Sequence, residues 1–266
     1  MDEQKGPFNP LLACLAALAA LFFVFPLIGM ITGAPWGNVF GIITSKSSLD
    51  ALGLSIIASL ASTVIALLFG FPLAWILARN SFRGKGLVRG LTTLPMVLPP
   101  VVGGIALLLA YGRRGIIGEP LDKAFGISLP FTLAGVIVAE SFVAMPFFVI
   151  TVESGLRAMN RRLEDAARSL GASRGTVFRR VTLPLIAPSL GAGAVLCWAR
   201  ALGEFGATIT FAGSFPGQTE TMPIAVYYAL ENDPDAAIAL SLVLLVVSIV
   251  VLVSLRDHWL RGGSVA

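Results

Sequence analysis

Arg200 and Glu204 stand four residues apart in WARALGEFGATITFAG (198–213), a stretch that is otherwise free of charge. Glu140 sits in a second such run, LAGVIVAESFVAMPFFVITV (133–152). Residues four apart on a helix share a face, so this guanidinium and carboxylate can neutralise each other. At the centre of a bilayer a charge costs ~2.5–3.5 kcal/mol and therefore faces protein or water. Two readings of the cluster stand side by side. It is an ion pair that orients helices, or it borders a conduit in which an arginine offers a desolvated oxyanion a positive partner with several donors. The same three residues would also serve as a proton relay. Covalent chemistry finds less support. The one histidine, His258, lies beyond the last apolar block and reads as an interfacial residue. Cys14 and Cys197 fall inside apolar blocks without the spacing of a disulfide framework or metal site, and read as small buried residues. The only Gly-Lys pair, Gly84-Lys85, lacks the upstream glycine and the following Ser or Thr of a phosphate-binding loop.

The elements that carry these residues are membrane spans. Of the 266 residues 56% are hydrophobic and 13% charged, whereas soluble domains carry roughly 25% charged residues. The apolar residues come in blocks: Leu11 to Ile31, Ala51 to Ala78 and Ala236 to Leu255 contain no Asp, Glu, Lys or Arg. About 18 such residues suffice to cross the hydrocarbon core as a helix. Six spans are expected, near 11–31, 51–78, 91–111, 130–152, 185–212 and 236–255. The first is too long for the core of a signal peptide and has a flank of mixed charge, MDEQKG, so it reads as a retained helix. In the third, LPMVLPP places Pro95, Pro99 and Pro100 where they remove backbone donors, which predicts a kink or an unwound turn. With the N-terminus in the cytoplasm, 14 of the 19 Lys and Arg fall in inner segments, four in outer loops and Arg200 within a span. That bias places both termini inside. The chain divides into a first helix and outer loop (1–50), a core (51–255) and an inner tail (256–266).

The longest inner loop, 153–184, is also the most basic. Topology and attraction to anionic lipid headgroups account for its arginines, and topology alone suffices for the basic 79–89 loop. Neither accounts for LEDAARSLGA, where Leu163, Ala166, Ala167 and Leu170 recur at helical spacing and Gly171 follows as a stop. A short amphipathic helix with alanines on its face lets another protein surface approach closely. Pro184 and Pro188 mark the return of the chain to the membrane.

This loop resembles the EAA loop of the permease subunits of ATP-binding-cassette importers, which reads Glu-Ala-Ala, three residues, Gly, nine residues, Ile-x-Leu-Pro. Here Asp165-Ala166-Ala167, Gly171 and Val181-Thr182-Leu183-Pro184 keep the spacing, with Asp for Glu and Val for Ile. The resemblance covers about 51–255. It implies an all-α type I importer permease fold with six transmembrane helices and a cytoplasmic coupling helix, in which Leu163, Glu164, Asp165, Ala166, Ala167, Leu170, Gly171 and Pro184 engage an ATPase. It further implies two permease copies, two ATPase subunits that use ATP and Mg, and an external binding protein. No cofactor is expected on this chain, and nothing points to nucleic acid.

A second resemblance, in RALGEFGAT, FAG, LPMVLPPVVGG and SFPGQTETMPIAVYYALE, is to the molybdate and tungstate permeases and, beyond them, to the related sulfate and thiosulfate permeases. With an oxyanion as cargo, the charged cluster of Arg200, Glu204 and Glu140 and the proline-broken segment at Pro99 and Pro100 are the candidates to border its pathway. The acidic outer loop of Glu220, Glu231, Asp233 and Asp235, with 32–50 and 112–128, would present a docking face to the binding protein. A proton-coupled carrier would leave the 165–184 pattern without explanation.

Overall fold

Inside hydrocarbon a backbone can satisfy its own N–H and C=O groups locally only as helix, and every regular element among the described residues is helical. The structure, a computed structural model, describes residues 10–261, with side chains as far as Val253. The terminal stretches 1–9 and 262–266 and the side chain of His258 lie outside the described residues. Helix α1 (Pro10–Thr32) is apolar on every side and buries none of its residues. After α2 (Val39–Ile43), α3 (Lys46–Ile65) passes through a π turn at Ala66–Gly70 into α4 (Phe71–Arg79), and the three form one span of 34 residues. Next come α5 (Lys85–Thr93), extended by a 3-10 turn (Leu94–Met96), then α6 (Pro100–Tyr111), α7 (Gly118–Phe125) and α8 (Leu133–Ala158). A short α9 (Arg162–Ser169) leads to α10 (Arg174–Val177), which runs through a second π turn (Phe178–Thr182) into α11 (Leu183–Leu202). The chain finishes with α12 (Gly206–Ala212), α13 (Met222–Asn232) and α14 (Pro234–Arg261). Among the described residues five helices are long and apolar enough to cross a membrane, or six if α5 and α6 count together.

Helix starts follow the local chemistry. The side chains of Ser45, Thr132 and Ser173 accept from the backbone N–H of Ser48, Gly135 and Thr176, capping α3, α8 and α10. The proline pair acts as predicted: α5 and α6 meet at 118° around 97–99, and Pro100 takes the first position of α6, where its missing N–H costs nothing.

Helix α8 lies at the centre, flanked by α3, α4, α11 and α12. Its Phe148, Val152 and Leu156 are wholly buried together with Leu77 of α4 and Ile186 of α11. Small residues bring the helices close, as expected where packing rather than water drives association. A methyl group added at Gly70 would lie 3.0 Å from Phe148, and one at Gly193 would lie 3.2 Å from it.

The continuous fifth span expected over 185–212 is not found. Helix α11 starts earlier, as a continuation of α10, and stops at Leu202; α12 begins separately at Gly206. Glu204 therefore stands in the break rather than on a common helix with Arg200. The reason is local: Glu204 turns its Oε1 to accept from the N–H of Ala207 at 2.9 Å, which caps the new helix. The broken geometry also brings α12 against α6. A Cβ at Gly206 would fall 2.6 Å from Pro100 Cβ, and one at Gly104 would fall 2.5 Å from Thr210 Cβ and 2.9 Å from the Ala207 carbonyl oxygen.

This contact gives a test of the architecture. Gly104→Val forces backbone apart and is expected to destabilise the protein by ~1–3 kcal/mol, read as a lower thermal midpoint in detergent. Gly53→Ala, on α3 where an added methyl meets nothing within 4 Å, leaves the midpoint unchanged or slightly raised.

Candidate functional site

Two sites emerge, one at each group of residues singled out by the sequence. The first is at the arginine-rich end of the bundle, where α4 finishes and α9 lies. Helix α9 is two-sided. Leu163 and Leu170 are 47% and 89% exposed, and Ala166 shares their open side. Asp165 is also exposed and, among the described residues, pairs only with Arg168 of its own helix, at 3.3 Å. Glu164 points the other way and is buried. Its Oε2 accepts from Arg79 at 3.0 Å, and its Oε1 accepts from Arg79 at 2.8 Å and from Thr182 Oγ1 at 2.5 Å. Arg79 is itself nine-tenths buried, with its guanidinium 5.2 Å from the centre of the Trp75 ring.

Gly171 ends α9 for a backbone reason. Its φ is +84°, its N–H donates to the Arg168 carbonyl and the N–H of Ala172 donates to that of Ala167. This pair of bonds satisfies carbonyls that a helix end otherwise leaves orphaned. Nothing lies within 4 Å of where a side chain would begin, so the requirement for glycine is conformational and not a matter of space. Pro184 sits in the first turn of α11, where proline is tolerated.

The loop arginines bind other parts of the bundle. Arg157 and Arg161 donate to the carbonyls of Leu77 and Ala78, in the last turn of α4, at 3.2 and 3.3 Å. Buried Glu153 on α8 pairs with Arg157 at 2.7 Å and with Arg89 of α5. The basic 79–89 segment, for which topology had sufficed, thus supplies a partner to each of two buried carboxylates. Sequence reasoning missed Arg79, Arg89, Glu153 and Thr182 as working residues. The available signal was the presence of two glutamates, Glu153 and Glu164, in a segment otherwise dominated by arginine.

The second site lies where two broken helices touch. Pro99 and Pro100 form the break between α5 and α6, and Gly203–Phe205 forms the break after α11. The contact of Pro100 with Gly206 joins them. Arg200 pairs with Glu204 at 2.6 Å; Glu204 is 1% exposed, whereas the Arg200 side chain keeps 30% exposure. Glu204 is the one partner of Arg200 among the described residues, so most of its donors are uncommitted. Thr208 Oγ1 and Trp198 Nε1, which flank the break in sequence, are buried without a hydrogen-bond partner among the described residues. Such helix breaks are tolerated in a membrane where protein or a wet cavity surrounds them.

Glu140 is not part of this ion pair. It is buried between helices, where its Oε2 accepts from Ser62 Oγ of α3 at 3.2 Å, and it has no ion-pair partner among the described residues. The structure therefore brings Pro99, Pro100, Arg200 and Glu204 together and sets Glu140 against α3. The acidic segment 220–235 folds in part: Glu220 accepts from Ser214, and Asp233 caps the start of α14 by accepting from the N–H of Ala236.

Comparison with known proteins gives a consistent outcome. Residues 70–261 match the family model described as "Binding-protein-dependent transport system inner membrane component". The chain is 49% identical over 238 residues to the molybdenum transport system permease protein ModB of Mycobacterium bovis, covering 89% of this chain and 90% of that protein. It is 40% identical to the protein of the same name from Escherichia coli K12, covering 81% and 94%. Its fold matches that of a bacterial ABC transporter involved in the import of the acidic polysaccharide alginate, with a TM-score of 0.70, 21% identity and 96% of each chain covered. The chain belongs to the inner-membrane permease family of binding-protein-dependent transport systems, the membrane-spanning components of ABC importers.

Proposed function

We propose that this chain forms the membrane pathway of a molybdate importer, with tungstate as an alternative cargo, and that it performs no covalent chemistry. The observation that carries this reading is the 49% identity, along nine-tenths of the chain, to a molybdenum transport permease. The geometry supports an oxyanion as cargo: Arg200 is an arginine at a helix break, partly open, with donors left over after it has met Glu204. Its planar guanidinium suits the bonding of paired oxygens better than an ammonium would.

In this reading both termini are cytoplasmic and the arginine-rich end faces the ATPases. Two copies of this chain enclose the pathway. Two ATPase subunits, which bind ATP and Mg, dock against α9 through Leu163, Asp165, Ala166, Ala167 and Leu170, and a molybdate-binding protein docks on the opposite face near α2, α7 and α13. Closure of the ATPases draws the two α9 helices together and opens the pathway outward; hydrolysis resets it. The open side of α9 supports this assignment, since Leu170 is 89% exposed among the described residues.

Three outcomes check the proposal. In proteoliposomes holding the full complex and loaded binding protein, labelled molybdate uptake is expected to require ATP, to stop with vanadate and to survive an excess of sulfate. Uptake driven by a proton gradient without ATP, or full competition by sulfate, would overturn it. Gly171→Val places a β-branched residue at positive φ, at a cost of at least ~1–2 kcal/mol. The variant is expected to insert and to lose ATPase binding in pull-down, together with uptake. Arg200→Lys keeps the charge beside Glu204 but removes the fork. Losing one charge-assisted hydrogen bond of ~1.5–3 kcal/mol should reduce uptake about tenfold or more while the thermal midpoint holds.

A further inference from the structure

Glu164 joins three elements through one carboxylate. It belongs to α9, its two oxygens receive the guanidinium of Arg79 at the end of the α3–α4 span, and Oε1 also receives the hydroxyl of Thr182 at the start of α11. All three residues are buried or nearly so: Glu164 is 6% and Thr182 1% exposed, and the Arg79 side chain 10%. Two more arginines from the same connecting region hold the α4 end from the other side, through the Leu77 and Ala78 carbonyls. The face of α9 opposite Glu164 is the open one that carries Leu163 and Leu170.

We infer that the Arg79–Glu164–Thr182 joint is the element that delivers displacement of α9 to two spans at once, making Glu164 and Arg79 positioning residues for transport. The inference rests on the proposed docking of an ATPase on α9 and adds where the motion goes. Along one arm it reaches the α3–α4 span, whose Ser62 holds Glu140 of α8. Along the other it reaches α11, which ends at the Arg200–Glu204 pair beside the helix break. Each span also contains a π turn: Ala66–Gly70 lies between Arg79 and Ser62 in one, and Phe178–Thr182 includes Thr182 itself in the other. A bidentate guanidinium–carboxylate pair fixes direction as well as distance, and fixed direction is what a linkage needs if a push is to become a rotation or tilt. A pair that served only to stabilise the fold would be replaceable by any change that leaves the protein folded.

The test measures the number of molybdate ions imported per ATP hydrolysed, in proteoliposomes that contain the complete complex. Glu164→Gln keeps the shape and removes the charge, Arg79→Lys keeps the charge and removes the fork, and Thr182→Val cuts only the arm to α11. Each is expected to retain the ATPase in pull-down and to hydrolyse ATP. The ratio should fall by about tenfold for the first two, within the usual span of allosteric coupling, and by less for Thr182→Val. An unchanged ratio in an assembled Glu164→Gln complex overturns the joint. Should that variant fail to assemble, an unchanged ratio in Arg79→Lys and Thr182→Val overturns it equally. If the unaltered chain captures no ATPase, the docking assignment itself falls, an outcome separate from any change in the ratio.

Discussion

A carboxylate taken out of water must find a cation and hydrogen-bond donors, because its desolvation costs several kcal/mol that only well-placed partners offset. Two glutamates impose that condition on one end of this molecule. Glu153 draws Arg89 and Arg157 together, and Glu164 draws Arg79 and Thr182. Between them they tie α4, α5, α8, α9 and α11. The arginines of this end are thus partly consumed in holding the bundle, and the short helix α9 is clamped on one side and bare on the other. The buried side of α9 gives its exposed side a firm backing.

The opposite constraint acts within the membrane. There the helices approach through glycines, Arg200 and Glu204 neutralise each other at a point where two helices are interrupted, and Glu140 rests on Ser62. Gly104 and Gly206 let α6 and α12 touch, Pro100 fixes the start of α6, and Glu204 closes the start of α12. Thr208 Oγ1 and Trp198 Nε1, on either side of the interruption in sequence, are buried without a hydrogen-bond partner among the described residues. Packing and polarity meet at one place: Gly206, which permits the close contact with Pro100, directly follows the break that holds Glu204.

Much of this was legible beforehand, for identifiable reasons. The spans follow from runs of uncharged residues, the break near Pro99 from the loss of donors, and α9 from the spacing of Leu163, Ala166, Ala167 and Leu170 ahead of Gly171. What escaped notice was decided by partners distant in sequence. Arg79 and Glu164 are 85 positions apart, and Ser62 and Glu140 are 78, so no local pattern announces either pair. The break at Glu204 escaped for a different reason. A glutamate four residues after an arginine is ordinary in a helix, and only the choice of the Ala207 N–H as its partner turns it into a cap.

The π turn at Ala66–Gly70 has a consequence for the whole second span. A regular helix advances about 100° per residue, so one additional residue in a wider turn offsets everything beyond it by a comparable angle. The serine-bearing face of α3 and the Arg79-bearing face of α4 are thus out of register with any single helical wheel drawn across the span. Each half looks toward its own neighbour, Ser62 toward Glu140 and Arg79 toward Glu164. Excising a single residue between them would leave the membrane-crossing length almost intact, yet would turn one of these two side chains away from its acid.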